Sequence, residues 1–516
     1  MSRIDTLSQE KILIIDFGDQ YKQMIGRMVR DLHVFCVIKP YPVSLEEIKS
    51  GNYAGIILSG SPKSTLDEDA PGVDKGIFDL GIPILGICYG CQWIAKTQGG
   101  KVQRCESLDQ GVRDLYIDEE TRLYQGLGKK IPVYMDHYDE VTEAGPGFKV
   151  IAHTDQCKIA AFVDEDRKIY AVQSHPEHGH FEEGKALFKN FLFGICRVKG
   201  SWQLEDFVNL TIQEIQDQIG DGHAICALSG GVDSSVSALL VHKAIGDRLT
   251  CILVDHGLMR KDEPATVEKV YKETFGMNLI RIDAADRFLS KLAGVTDPES
   301  KRKIIGEEFI RVFEEEAKKL GQVDYLVQGT IYPDILESGI GGARIKSHHN
   351  VGGLPKDIGF KGLVEPLRDL FKDEVRAVGA LLGIPHDQVW RQPFPGPGLG
   401  VRIIGAITPE RVKTLQEADA IWREEVKASG LDKGLGQYFA ILTNLESVGT
   451  VHDQRVYESV LGLRAIETSD FMTAKAARIP YDLLEKVTNR IIKEVPGVGR
   501  VVYDVTAKPP ATIEWE

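Results

Sequence analysis

The second half of this chain has no cysteine. All eight, Cys36, Cys88, Cys91, Cys105, Cys157, Cys196, Cys226 and Cys251, sit in the first part of its 516 residues. A secreted disulfide scaffold is short and cysteine-dense, so this distribution excludes one and points to free thiols in a reducing compartment. No uninterrupted apolar run approaches ~18 residues, and no membrane-spanning helix is expected. The opening M-S-R-I-D-T-L-S-Q-E-K carries no apolar signal core, so the expected location is the cytoplasm. Positive charge is also in deficit. With 62 Lys and Arg against 76 Asp and Glu, the net charge is −14. That argues against nucleic-acid or membrane partners, although a local basic cleft can still hold phosphates. No repeat of solenoid period is visible.

What is present is ordinary for a globular protein: 43% hydrophobic and 27% charged residues. At ~150 residues per domain the length corresponds to about three domains. The first 200 residues alternate short apolar strands (Ile12–Asp16, Gly55–Ser59, Ile82–Ile87) with helical patterns, as buried parallel strands do. Glu182–Cys196 reads as a helix, and Val198-Lys199-Gly200-Ser201 separates it from a fresh amphipathic helix, Gln203–Ile219. The alternation then restarts. Strands are predicted at Ala224–Leu228, Thr250–Val254, Asn278–Ile282 and Tyr325–Gln328, with helices at 234–245, near 264–275 and at Lys301–Leu320. Residues 339–362, rich in Gly, His and Lys, lack periodicity and read as a long loop that is either disordered or functional, often a lid. Gln392-Pro393-Phe394-Pro395-Gly396-Pro397-Gly398 breaks the chain again. Beyond it, helices at 408–429 and 481–494 mix with strands at Tyr438–Leu442 and Arg500–Val505. The fold class expected is α/β: two parallel-sheet α/β domains, 1–199 and 200–391, followed by a small α+β domain, 392–516.

Gly86-Ile87-Cys88-Tyr89-Gly90 follows a strand and opens a helix, the cysteine version of a G-x-S-x-G nucleophile elbow. The glycines admit a strained turn, and the helix N-terminus favours the thiolate. A small buried cysteine is the plainer reading, and Cys88-Tyr89-Gly90-Cys91 is also a C-x-x-C of redox type. Gln173-Ser174-His175-Pro176-Glu177 offers a base, His175, with a carboxylate, Glu177, to orient it. Metal binding by His175, His178 and His180 is the alternative, with no clear cluster to complete it. The turn Ser59-Gly60-Ser61-Pro62 either supplies an N–H to an oxyanion or is a plain turn. This arrangement resembles a class I glutamine amidotransferase domain of flavodoxin-like fold. The resemblance implies that Cys88 attacks the glutamine amide, His175 shuttles protons and Glu177 orients His175. The backbone amides of Gly60 and Tyr89 would form the oxyanion hole.

Ser229-Gly230-Gly231-Val232-Asp233-Ser234-Ser235 lies between a strand and a helix. Its glycines, hydroxyls and N–H groups suit a phosphate, while the G-K-[ST] ending of a Walker loop is missing. Asp233 is placed to meet Mg²⁺ on the phosphates, or else caps the helix. The segment is similar to the signature of the ATP pyrophosphatase (PP-loop) superfamily. By that resemblance Val254 faces the adenine, with core packing as the alternative. A tRNA thiolase shares the loop, but the acidic charge and the lack of zinc-type C-x-x-C pairs speak against it.

Four further stretches resemble the glutamine-hydrolysing GMP synthetase family over essentially the whole chain. They are Gln328-Gly329-Thr330-Ile331-Tyr332-Pro333-Asp334, Ile345-Lys346-Ser347-His348-His349-Asn350-Val351-Gly352-Gly353, the Pro/Gly segment 393–400 and the ending Lys508-Pro509-Pro510-Ala511-Thr512-Ile513-Glu514-Trp515-Glu516. The resemblance implies the substrates glutamine, ATP and xanthosine 5′-monophosphate (XMP), Mg²⁺ with the ATP and no tightly bound organic cofactor. ATP would adenylate the xanthine C2 oxygen, and ammonia would displace AMP to give GMP. Arg302, Gln437, Arg500, Lys508, Ile513 and Glu514 would bind XMP, Lys346 and His348 would act in the lid, and the C-terminal domain would form a homodimer. The amidotransferase surroundings depart from the family pattern. Asp19 stands where serine commonly precedes Gln20-Tyr21, and Ser61 replaces a second glycine. Met135-Asp136-His137-Tyr138-Asp139 replaces the commoner M-S-H-G-D, and His178 replaces an aliphatic residue. The triad is intact, and glutaminase activity is expected.

Overall fold

The structure is a computed structural model that describes residues 10–178, 181–321, 323–338, 359–451, 454–468, 471 and 473–516. The chain divides into two compact units. One holds the residues up to Leu210 and a short stretch from Tyr332; the other holds the remainder. The fold is mixed α/β, built on large sheets rich in parallel strands.

The first unit is built on nine strands: β1 (Lys11–Asp16), β2 (Cys36–Pro40), β3 (Tyr53–Leu58), β4 (Ile84–Ile87), β5 (Lys101–Ile117), β6 (Lys130–Glu143), β7 (Lys149–His153), β8 (Ala161–Asp164) and β9 (Ile169–Val172). Their order is β2-β1-β3-β4-β9-β8-β7-β5-β6. The strands β2, β1, β3, β4 and β9 are parallel. Every residue of β1, β4 and β9 is buried, which explains the apolar run Ile12–Ile15 of β1 and the apolar sequences of β4 and β9. The remaining strands extend the sheet antiparallel. In an open α/β sheet the ligand site lies beyond the carboxyl ends of parallel strands. The segments after β1, β3, β4 and β9 bring Asp19, Ser61, Cys88 and His175 to one such edge.

The second unit contains β10 (Ala224–Ala227), β11 (Leu249–Asp255), β12 (Asn278–Asp283), β13 (Tyr325–Val327) and β14 (Gly362–Val364). They form a parallel sheet in the order β12-β11-β10-β13-β14. A third sheet comprises β15 (Gln437–Val451), β16 (Gln454–Glu467), β17 (Lys475–Ala476) and β18 (Val498–Tyr503), the last pairing with β16. One apolar cluster runs from Ile225, Ile252 and Phe288 to Leu415, Trp422 and Leu461, so the two sheets share a core.

Most predicted elements appear within two residues of their expected ends. The helix expected over 182–196 is an α-helix, Glu182–Lys189, that widens to π geometry over Asn190–Ile195. The one near 264–275 behaves likewise, with Glu263–Glu268 followed by Lys269–Thr274. The long β5–β6 and β15–β16 hairpins go beyond the sequence reading.

Candidate functional site

Cys88 occupies the turn between β4 and the helix Tyr89–Thr97 with φ 50° and ψ −106°, a strained conformation for a residue with a Cβ. Its two flanking glycines make that turn possible. A Cβ on Gly86 would stand 2.7 Å from the Gly90 carbonyl oxygen, and one on Gly90 would stand 2.4 Å from that of Leu58. The turn presents the Cys88 sulfur to a cavity of about 650 Å³, which Asp19, Tyr21, Gln92, Arg104 and His175 also line. The Gln173 side-chain amide donates to Cys88 Sγ at 3.7 Å, and the Asp136 carbonyl oxygen lies 3.6 Å from the sulfur.

His175 and Glu177 are buried, at 3% and 4% exposure, with His175 Nδ1 2.7 Å from Glu177 Oε1. Burial pushes the imidazole pKa down, but the Cys88 sulfur and the Glu177 carboxylate outweigh it. They hold His175 well above the usual histidine value. An imidazolium beside Cys88 stabilises the thiolate, the form that attacks a carbonyl carbon. Cys91, the other half of the C-x-x-C, is fully buried in apolar surroundings that push its thiol pKa well up. It is a poor redox partner, and none of the eight cysteines forms a disulfide.

The two residues read as oxyanion donors differ in their surroundings. Tyr89 opens its helix, where N–H groups have no intrahelical acceptor. The Gly60 N–H already donates to Asp19 Oδ2 at 3.0 Å. Asp19 Oδ1 accepts the Tyr21 N–H at 2.9 Å. The other departures from the family pattern gather around these groups. The Tyr21 hydroxyl donates to Asp136 Oδ2, and the Tyr21 ring meets those of His175 and His178 edge-on at 5.0 and 5.1 Å. His178 stacks on Tyr134 at 3.8 Å. Ser61 donates to the Phe17 carbonyl, tying its turn to the end of β1, while Tyr138 is exposed. His180 lies outside the described residues, so the metal reading of His175, His178 and His180 rests on the sequence alone.

In the second unit, the Ser229–Ser235 loop joins β10 to the helix Val232–Ile245. Ser229 and Ser234 hydroxyls are 3.0 Å apart, and the Gly231 N–H donates to Ser229 Oγ. The helix N-terminus and these hydroxyls suit an anion. Asp233 Oδ2 pairs with Lys372, while Oδ1 is buried without a hydrogen-bond partner. An oxygen of that kind fits a hard divalent cation. Arg391 donates to the Gly230 carbonyl and pairs with Glu263. Sequence reading missed Lys372 and Arg391, which lie far along the chain from the loop. Val254 is buried near the end of β11.

The residues expected to hold XMP are distributed as follows. Arg302 and its neighbour Lys301, on the helix Pro298–Lys319, both bind Glu516, and Lys301 Nζ also donates to the Ile403 carbonyl. Glu514 is held by both arms of Arg402, which is fully buried and sits 3.9 Å from the Phe439 ring centre. Gln437 donates to the Pro393 carbonyl, Arg500 to Ser447 and Lys508 to the Phe471 carbonyl. Ile513 is half-buried. The contacts therefore tie Arg302 to Glu516 and Glu514 to Arg402, whereas Gln437, Arg500 and Lys508 each have separate partners. Lys301 and Arg402 were missed, because as isolated cations they carry no motif. Lys346 and His348 lie outside the described residues.

Two family models match the chain: glutamine amidotransferase class-I over residues 13–195, and GMP synthase C terminal domain over 424–515. Among curated relatives named GMP synthase [glutamine-hydrolyzing], that of Clostridium tetani is 57% identical over 511 residues. Those of Clostridium acetobutylicum and Ruminiclostridium cellulolyticum are 56% and 55% identical over the same length. In each case the match covers 99% of this chain and 100% of the relative.

Proposed function

This chain belongs to the family of glutamine-hydrolysing GMP synthases, and on that premise we propose how its residues divide the work. It is a ligase of purine nucleotide synthesis that makes GMP with nitrogen drawn from glutamine. In our reading the Cys88 thiolate attacks the glutamine carboxamide carbon. The oxyanion that forms faces the Tyr89 and Gly60 amides. His175 gives its proton to the departing ammonia, which leaves a thioester on Cys88. It then takes a proton from the water that releases glutamate, while Glu177 keeps the ring oriented. The His175–Glu177 contact at 2.7 Å, beside a strained cysteine at a helix N-terminus, carries this assignment.

In the second unit the Ser229–Ser235 loop takes the phosphates of ATP, and Val254 borders the adenine. Asp233 would hold Mg²⁺, whose charge would stabilise the phosphates when bound. Adenylation of the XMP C2 oxygen releases pyrophosphate, and ammonia then displaces AMP. Arg302, Arg500 and Lys508 supply cations for the nucleotide phosphate, and Gln437, Ile513 and Glu514 address the rest of XMP. Lys346 and His348 are proposed for the lid. The same reading divides the chain into 1–199, 200–391 and 392–516, and it places a second copy against the last part. Exposed Leu445, Val448 and Tyr457 on β15 and β16 support that apolar contact. Among the described residues no helix is long and apolar enough to cross a membrane. Cysteines that form no disulfide support a cytoplasmic location.

Replacing Cys88 tests the division of labour. Cys88→Ala is expected to abolish GMP formation from glutamine while leaving formation from added ammonium intact. GMP, AMP and pyrophosphate would be measured with XMP, Mg-ATP and either nitrogen source. Loss of both activities in a folded variant would overturn the assignment.

A further inference from the structure

The Cys88 sulfur meets a side chain that neither the triad nor the oxyanion donors account for. Strands β4 and β9 are parallel neighbours with Ile87 opposite Val172, so the next residues, Cys88 and Gln173, emerge side by side. The Cys88 N–H donates to the Val172 carbonyl at 2.8 Å and fastens the two segments together there. Gln173 is fully buried, and its Nε2 lies 3.7 Å from Cys88 Sγ. Gln92, 3% exposed, sits one helical turn after Cys88, whose carbonyl accepts its main-chain N–H. Gln92 Nε2 is 2.8 Å from the Asp139 carbonyl oxygen on β6 and 3.3 Å from Gln173 Oε1.

Donor and acceptor roles along this relay are set from its far end. A backbone carbonyl can only accept, so the Gln92 group that faces Asp139 is its NH₂. The second hydrogen of that NH₂ goes to the Gln173 oxygen. Gln173 must then turn its own NH₂ toward Cys88, and the sulfur is the acceptor. A flipped Gln173 would set one NH₂ against another in the interior, with no acceptor between them. The sulfur accepts best as a thiolate. On another side the Asp136 carbonyl oxygen, at 3.6 Å, favours the thiol, because it too can only accept.

We propose that Gln173 is a further catalytic residue of the glutaminase: its side-chain N–H is a fixed donor to the Cys88 thiolate, oriented by Gln92 and the Asp139 carbonyl. This rests on the reading of Cys88 as the nucleophile. The amide supplies what His175 alone does not. His175 gives its proton to the departing ammonia and collects another from water, so its charge changes within each turnover. The Gln173 N–H is neutral, does not titrate and stays in place. It stabilises the thiolate before attack. It does so again when the thioester carbon–sulfur bond breaks and the sulfur keeps the bonding electrons. With the relay already packed in place, little has to reorganise as that charge develops.

The test uses the full-length enzyme with Gln173→Met and Gln173→Leu, which remove the N–H, and Gln92→Met, which removes the group that orients it. Glutaminase kcat/KM is followed from about pH 5 to 9. Thiolate ultraviolet absorbance is followed without glutamine, as the difference from the same protein carrying Cys88→Ala. Unfolding curves and ammonium-driven GMP formation report folding. The ionisable groups around the sulfur are His175, Glu177, Asp19, Asp136, His137 and Asp139, with Cys91 behind it, and every variant keeps them. Loss of a donor to the charged form makes the thiolate form at higher pH. In the Gln173 variants the acid limb of kcat/KM and the absorbance step should both rise by about one pH unit or more. The alkaline limb, which belongs to His175, should stay in place. On the acid side kcat/KM should fall by about 10- to 100-fold, the worth of one hydrogen bond to a charged group, and the deficit should narrow toward the plateau. Gln92→Met should move the absorbance step the same way by less, and it probes the relay even if neither Gln173 variant folds. If folded Gln173 variants slow by a pH-independent factor, or their absorbance step does not move, the proposal is overturned while the nucleophile assignment stands. An unmoved step in Gln92→Met overturns the orienting relay. Should Cys88→Ala keep glutaminase activity, the nucleophile reading fails, and the role of Gln173 with it.

Discussion

Glu177 shows how much one buried carboxylate controls. Its Oε1 meets His175 Nδ1 at 2.7 Å, out of contact with solvent. Burial alone would drive the imidazole toward its neutral form, and the Cys88 sulfur and Glu177 reverse that. His175 thus stays protonated to higher pH than a free histidine, and the thiolate–imidazolium pair is lost only as pH rises through that elevated value. Glu177→Gln removes one of the two charges that raise it. The alkaline limit of the pair should then move to lower pH, read as the alkaline limb of the kcat/KM profile for glutamine. The glutaminase kcat should fall by ~10²–10⁴-fold, as when the orienting member of a triad is lost. An alkaline limb that does not move would reduce Glu177 to a packing role.

At the scale of elements, the β4–helix elbow is the part that tolerates least change. Helix Tyr89–Thr97 crosses so close to β3 that a methyl group on Gly90 would meet the Leu58 carbonyl, a backbone atom with nowhere to move. Gly90→Ala should cost about 1–3 kcal/mol through overpacking and should displace the Cys88 sulfur. Calorimetric unfolding together with glutaminase assays checks both effects, and an unchanged midpoint with full activity would contradict them. The elbow was legible in sequence because each of its parts is local: an apolar strand, two glycines and a cysteine. Helices such as Leu204–Ile219 and Tyr481–Glu494 were legible through their apolar stripes. Strand β6 was not. Its buried positions alternate as Ile131, Val133, Met135, His137, Asp139 and Val141, and the two polar members erase the hydrophobic alternation. Both line the cavity beside Cys88, so the chemistry of the site obscures the strand that carries it. The contacts of Asp19 with Gly60 and of Lys372 with Asp233 were hidden for another reason. They join segments 41 and 139 residues apart, and only strand order makes them neighbours.

For the whole molecule, a net charge of −14 argues against nucleic-acid and membrane partners but leaves room for local cations, and two buried ones meet the final segment of the chain. Lys301 and Arg402 are fully buried, and each is neutralised by the final segment: Lys301 by Glu516, and Arg402 by the two carboxylate oxygens of Glu514. Burial pushes the Lys301 pKa down, and the Glu516 carboxylate opposes that shift. These pairs fasten the last residues to the helix Pro298–Lys319 and to the segment after Pro397, both within the second unit. The proposed XMP residue Glu514 is therefore held by a guanidinium that cannot reach water, and Arg302 donates to the Glu516 main-chain oxygen beside it. Glu514→Ala would strand the Arg402 guanidinium, and breaking a buried pair on one side costs about 3–5 kcal/mol. The expected result is a lower unfolding temperature and a loss of GMP formation from both glutamine and ammonium. Glutaminase activity should survive, because Cys88, His175 and Glu177 belong to the other unit. Calorimetry with the two assays run side by side separates these outcomes. If ammonium-driven synthesis persists at the wild-type rate, the final segment is a structural clasp alone, and the role of Glu514 in binding XMP falls.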